Sequence, residues 1–186
     1  MIITLKEVFY SLAITTALAY IFMDLIRPKN TEFFIYQKKG FDWDTFKFAA
    51  IIAAPGVILH EFGHKFAALA FGYTASFEVF WFGLIIGIFL KIIHSPFLIL
   101  APGYVTLPMI ANPLHISIIA FMGPFVNLVL WLGSWFILNS KIKLKRGQAE
   151  FLYLTKQINM ILFIFNMIPF PPLDGYKVLS GLIGSF

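Results

Sequence analysis

Residues 48–72 read FAAIIAAPGVILHEFGHKFAALAFG. The run has the length of a membrane-crossing helix, about 20 apolar residues, yet it holds His60, Glu61, His64 and Lys65. An ionisable group at that depth costs about 2.5–3.5 kcal/mol on insertion, so a chain that keeps such residues together is keeping a site. The rest of the sequence has the same apolar character. Of 186 residues, 60% are hydrophobic, 18% aromatic and 12% charged, and the mean hydropathy is +0.86. Soluble domains are about 45–50% apolar and about 25% charged, and disordered chains are polar with high net charge; both classes are excluded. At about 20 residues per crossing, this length supplies about four to six spans and little else.

The formal charge of +5 comes from 14 Lys and Arg against 9 Asp and Glu, with the basic residues mostly in short loops beside apolar runs. That pattern suits headgroup anchoring and topology, and no nucleic-acid partner is expected. With no Cys, disulfides, thiolate metal sites and Cys nucleophiles are excluded. Any metal must be held by His, Asp or Glu.

Outward from the opening stretch, the chain divides into apolar runs and breaks. A first span is expected over about 8–26; the triplet Ala17-Leu18-Ala19 resembles a signal-peptidase site, but the apolar run continues past it, so the span is read as retained. Residues 27–47 form a polar interfacial loop. The run Val79–Leu90 is too short to cross as a helix, and its aromatic and β-branched residues suit extended structure; the Gly83/Gly87 helix-packing pattern carries less weight in so short a run. Pro96, Pro102, Pro108 and Pro113 then recur every five or six residues and forbid a regular helix. Residues 73–112 are therefore expected to be a strand or re-entrant element. Spans follow over about 114–138 and 150–168, joined by a basic loop, and the last ends at Pro169, Pro171 and Pro172 before Asp174.

Residues 60–64, His-Glu-Phe-Gly-His, match H-E-x-x-H. On a helix, positions i and i+4 share a face, so His60 and His64 can bind one metal with Glu61 beside its open position. A zinc ion held this way lowers the pKa of its water to about 7, and the carboxylate takes the proton as water attacks a carbonyl. Catalytic zinc normally takes three protein ligands. Asp24, Asp42, Asp44, Glu78 and Glu150 are candidates, but Asp174 stands out in a proline-rich break that can aim it into the bundle. Zinc, two neutral imidazoles, Asp174 and ionised Glu61 sum to zero charge, which a low-dielectric site tolerates.

Asn166-Met-Ile-Pro-Phe-Pro-Pro-Leu-Asp174-Gly175 resembles the NxxPxxPLDG motif of the site-2 protease family of intramembrane zinc metalloproteases, and Gly123-Pro-Phe-Val-Asn127 resembles its GPxxN segment. The resemblance spans roughly 53–177. It implies one zinc per chain held by His60, His64 and Asp174, with Glu61 as the catalytic base and Asn166 and Asn127 on the substrate backbone or the developing oxyanion. Tyr176 departs from the second Gly often found there, and no PDZ-like insertion is visible.

For Asp174 to meet His60 and His64, the second and last spans must run parallel with the third antiparallel to them. The expectation is one membrane-embedded domain over 1–186: a mainly helical, multi-pass bundle of about four spans plus a C-terminal segment, with a short β or re-entrant element between the second and third spans. Loops 27–47 and 139–149 then share a side and hold nine of the 14 Lys and Arg, which by charge is cytoplasmic, whereas the resemblance implies zinc nearer the cytosol. The expected function is cleavage of transmembrane segments of other proteins within the lipid bilayer, in the cell membrane, with the region from Phe77 to Leu90 offering an edge to an unwound substrate. The alternative is a non-proteolytic zinc-binding membrane protein using the same fold for substrate binding or quality control. A regulatory partner or oligomer is left open. Among the remaining polar residues, Lys65 and Lys156 are expected to snorkel or face a polar cavity, Asn159 to line the site or bond between helices, and Pro55-Gly56 to kink the second span.

Overall fold

The computed structural model describes residues 3–26, 41–95, 103–106 and 112–185. In chain order they form α1 (Leu5–Ile26), α2 (Trp43–Ala70), β1 (Ser76–Val79), α3 (Trp81–Ile92), β2 (Gly103–Thr106), α4 (Pro113–Leu138), α5 (Arg146–Asn166) and α6 (Asp174–Ile183). Among the described residues, three helices, α1, α2 and α4, are long and apolar enough to cross a membrane. α5 has the length, but its first half carries Arg146, Glu150 and Lys156, and it is not among the three. Large side chains such as Phe9, Leu12, Ile51, Val129, Leu132 and Phe136 are exposed, as a surface solvated by lipid requires. The protein is an integral membrane protein built mainly of helices.

α2 runs antiparallel to both of its long neighbours. On the α1 side, Ile14 and Leu18 pack with Ala53 and Val57, while Ala19 and Met23 pack with Ala49 and Ile52, so rising numbers in α1 meet falling numbers in α2. On the α4 side, His64 meets Ile119 and Gly56 meets Asn127, again in opposite order. The core is thus a sandwich with the H-E-x-x-H helix in its middle.

Three local expectations change. The loop drawn through residue 47 ends at Asp42, because the Asp42 carboxylate accepts from Thr45 N at 3.0 Å and starts α2 at Trp43; residues 27–40 lie outside the described residues. The run read as extended over 79–90 is a strand only to Val79 and a helix from Trp81 to Ile92. Gly83, Leu84 and Gly87 are its buried face and Phe82, Ile85 and Phe89 are exposed, a 3–4-residue period that only a helix gives. Pro113 initiates α4 rather than interrupting it, with Asn112 Oδ1 accepting from Leu114 N. The expected non-spanning element is therefore a short helix beside a two-stranded antiparallel sheet, with Phe77 opposite Val105 and Val79 opposite Gly103. Pro96, Pro102 and Pro108 lie outside the described residues.

Candidate metal centre

His60, Glu61 and His64 are all buried in the latter half of α2. The 60/64 spacing puts both imidazoles on the face turned to α4. Asp174, 8% exposed at the start of α6, completes a triangle. Its Oδ2 lies 3.1 Å from His60 Nε2 and 3.2 Å from His64 Nε2, and the two Nε2 atoms are 3.1 Å apart. Among the described residues this is the one group of His, Asp and Glu close enough to hold a metal ion.

The chemistry of that triangle follows from what stands behind it. His64 Nδ1 is 2.7 Å from the carbonyl oxygen of Ile119. A carbonyl only accepts, so Nδ1 carries the proton and donates it. His60 Nδ1 is 2.7 Å from Asn127 Oδ1. The Asn127 amide nitrogen donates to Gly56 O and to Asn159 Oδ1, each at 2.9 Å, which assigns Oδ1 as the atom facing His60 and places a proton on His60 Nδ1 as well. Both neutral imidazoles therefore present Nε2 lone pairs to each other and to a carboxylate oxygen. A single proton could serve only one of the three edges; a cation serves all of them. Ligand atoms about 2.0–2.1 Å from a tetrahedral zinc lie about 3.3–3.4 Å apart, so a triangle with edges of 3.1–3.2 Å accepts zinc after slight expansion.

The space is kept open by a glycine. A Cβ on Gly123 would stand 2.2 Å from His64 Nε2 and 2.8 Å from His60 Nε2. Gly175 has a matching role behind Asp174, where a Cβ would meet Met167 O at 2.4 Å. The break after α5, which includes a cis Pro171–Pro172 bond, delivers Asp174 to the N-terminus of α6. The other carboxylate oxygen of Asp174, Oδ1, is 3.5 Å from Lys177 Nζ. Sequence reasoning missed Lys177, although a basic residue three positions after a helical acid is a readable signal.

Of the other candidate acids, Asp42 caps α2, Asp24 pairs with Lys91 at 3.3 Å, Glu78 pairs with Lys6 at 2.8 Å, Asp44 approaches Lys47 at 3.9 Å, and Glu150 lies in the first half of α5, outside the metal-holding group. Asn127 was expected on the substrate. It is fully buried and both of its amide hydrogens are donated inside the protein, so it stands behind His60, with no donor left for a substrate. Asn166 is half-buried at the end of α5 and donates to Leu162 O at 3.0 Å. Asn159 is fully buried and joins α5 to α4 through Asn127. Gly56 is the close-approach point for Asn159, whose Oδ1 would be 2.9 Å from a Cβ there, and α2 continues through Pro55 and Gly56 as one helix. Lys65 does not snorkel; it is 2% exposed and ion-paired with Glu7. His115 stacks on Phe71 and bonds Tyr73 Oη at 2.8 Å, while Tyr176 is exposed.

A helical membrane protein with a buried His-His-carboxylate centre and a neighbouring glutamate belongs, by class, with the membrane-embedded metallohydrolases. The comparisons narrow this. The sequence model of Peptidase family M50 matches residues 139–186, the stretch that carries Asp174. The chain is 34% identical over 152 residues to a protein of Methanocaldococcus jannaschii described as a zinc metalloprotease, an overlap of 79% of this chain and 76% of the relative. It is 32% identical over 146 residues to one from Synechocystis, covering 77% of this chain and 33% of the relative. A Bacillus subtilis protein of the same description is 34% identical over 74 residues, 40% of this chain and 32% of its own length. No solved structure matches the chain. The chain belongs to peptidase family M50, the site-2 protease family, and is a zinc metalloprotease.

Proposed function

We propose that the protein is an intramembrane endopeptidase that hydrolyses a peptide bond in a transmembrane segment of another membrane protein. In this reading His60, His64 and Asp174 hold one zinc and Glu61 is the general base. The observation that carries it is the convergence of three buried acceptor atoms on one point, with the carboxylate-bearing Glu61 next in the chain and buried too. Zinc bound there supplies a Lewis acid and a water acidified enough to attack at neutral pH.

The chain's own residues do the rest. Glu61 accepts the proton of the attacking water on its carboxylate and returns it to the departing amine nitrogen. Asn127 and the Ile119 carbonyl hold the imidazoles with Nδ1 protonated, which keeps Nε2 free for the metal. Lys177 holds Asp174 Oδ1 and leaves Oδ2 for the ion. Asn166, partly exposed at the end of α5, contacts the substrate backbone. A helical substrate must unwind before its carbonyls are accessible, and the extended edge for it narrows from the whole Phe77–Leu90 region to the small sheet, because Trp81–Ile92 is helical. α5 serves as the fourth crossing, with its polar first half at the interface.

Metal analysis of purified wild type and Glu61→Gln, paired with cleavage of a model transmembrane substrate in detergent, tests this. Both should bind about one zinc per chain, and Glu61→Gln should cut about 10²–10⁴-fold more slowly. Failure of the wild type to bind zinc overturns the ligand assignment. Equal cleavage by both overturns the role of Glu61, and zinc binding without cleavage by either favours the non-proteolytic alternative.

A further inference from the structure

Lys65 follows His64 directly, one helical step around α2, and leaves the helix on its α1 side. There it meets Glu7, which is 1% exposed against 2% for Lys65, and the two side chains pair through Lys65 Nζ and Glu7 Oε1. The same Oε1 accepts the backbone N–H of Phe77 at 2.9 Å. The second oxygen, Oε2, accepts from Thr4 N at 2.9 Å and from Thr4 Oγ1 at 3.1 Å; Thr4-Leu-Lys-Glu7 is a capping box at the start of α1. One carboxylate thus joins the first turn of α1, the zinc-motif helix and β1.

The strand it holds lies against the motif. Phe77 is 1% exposed and its ring is 6.0 Å from that of Phe62, the residue between Glu61 and Gly63. Because the Phe77 N–H goes to Glu7, it points away from β2 and the outer edge of β1 is closed at that position. A buried ion pair is weak evidence for stability, since apolar replacement of both partners is often neutral. What such a replacement would remove here is an acceptor for a strand N–H and a fixed spacing between strand and motif.

We propose that Glu7 is a positioning residue: through Lys65 and the Phe77 N–H it sets the β1–β2 sheet against the H-E-x-x-H helix, and so sets where an extended substrate lies relative to the metal. This rests on the endopeptidase reading above. It is tested on the full chain in detergent with Glu7→Leu/Lys65→Met, which removes both charges together, and with Glu7→Gln/Lys65→Met, which returns an oxygen to the Phe77 N–H. In the Leu/Met variant zinc content should stay at the wild-type value, amide hydrogen exchange at Phe77 should speed by roughly tenfold, and KM should rise roughly tenfold with kcat little changed, the scale of one buried donor left unsatisfied. The Gln/Met variant should recover slow exchange and lower KM. Wild-type exchange and KM in the Leu/Met variant, or loss of its zinc, overturns the proposal. The exchange measurement requires no cleavage, so it stands apart from the fate of the protease reading.

Discussion

His64 and Lys65 are consecutive residues of α2, and each enters a buried polar cluster of opposite construction. On the α4 side, His60, His64 and Asp174 bring three acceptor atoms together with both imidazole Nδ1 protons committed to Asn127 Oδ1 and Ile119 O. On the α1 side, an ammonium, a backbone N–H and the start of a helix are all satisfied by one carboxylate. The first cluster gathers acceptors with the geometry of a cation site, and the second pairs each donor with an acceptor. Burial of polar groups alone therefore does not distinguish a candidate metal centre from a structural cluster; the convergence of acceptor atoms does.

The sharpest way to break the contrast is Gly123→Ala. Alanine favours a helix over glycine by about 1 kcal/mol, so the fold should persist, yet a Cβ 2.2 Å from His64 Nε2 displaces the imidazole. Zinc measured by elemental analysis should fall from about one per chain to near zero, with cleavage lost along with it. Retained zinc would mean the cation sits elsewhere. On the complete side, Lys65→Met leaves the Glu7 carboxylate buried without its partner. Unfolding in denaturant should show a loss of about 3–5 kcal/mol, and an unchanged midpoint would show that water reaches Glu7. The smallest effect is expected from Asn127→Ala, which removes the acceptor behind His60. Competition with a chelator should report zinc binding weaker by about 10–100-fold with the helical circular dichroism unchanged.

Much of the centre was legible in the sequence because its elements are local. The H-E-x-x-H spacing, the glycine of the 123–127 segment and the break before Asp174 each depend on a few neighbouring residues, and the membrane setting makes any ionisable residue conspicuous. What sequence reading missed lies between segments. The Thr4–Glu7 capping box was readable, but its pairing with Lys65 across 58 positions was not, so Lys65 was read as snorkelling or facing a polar cavity. The resemblance put Asn127 on the substrate backbone or the developing oxyanion, and a motif names a residue without saying where its amide hydrogens go, here to Gly56 O and Asn159 Oδ1. The 81–92 helix was read as extended since β-branched and aromatic composition outweighed Gly83 and Gly87, whose one-turn spacing is the feature that packs.

Asp174 and His64 stand 110 positions apart. A chain emerging at about 5–20 residues per second therefore carries both histidines and Glu61 for roughly 5–20 s before the third ligand exists. During that interval the two imidazoles and Glu61 stand without the carboxylate that closes their triangle. Asp174 arrives with α6, which docks on α4, where Ser117 Oγ donates to Val178 O at 2.9 Å and Gly181 presses against Pro113. In the endopeptidase reading proposed above, this separation along the chain delays closure of the site until translation has reached α6.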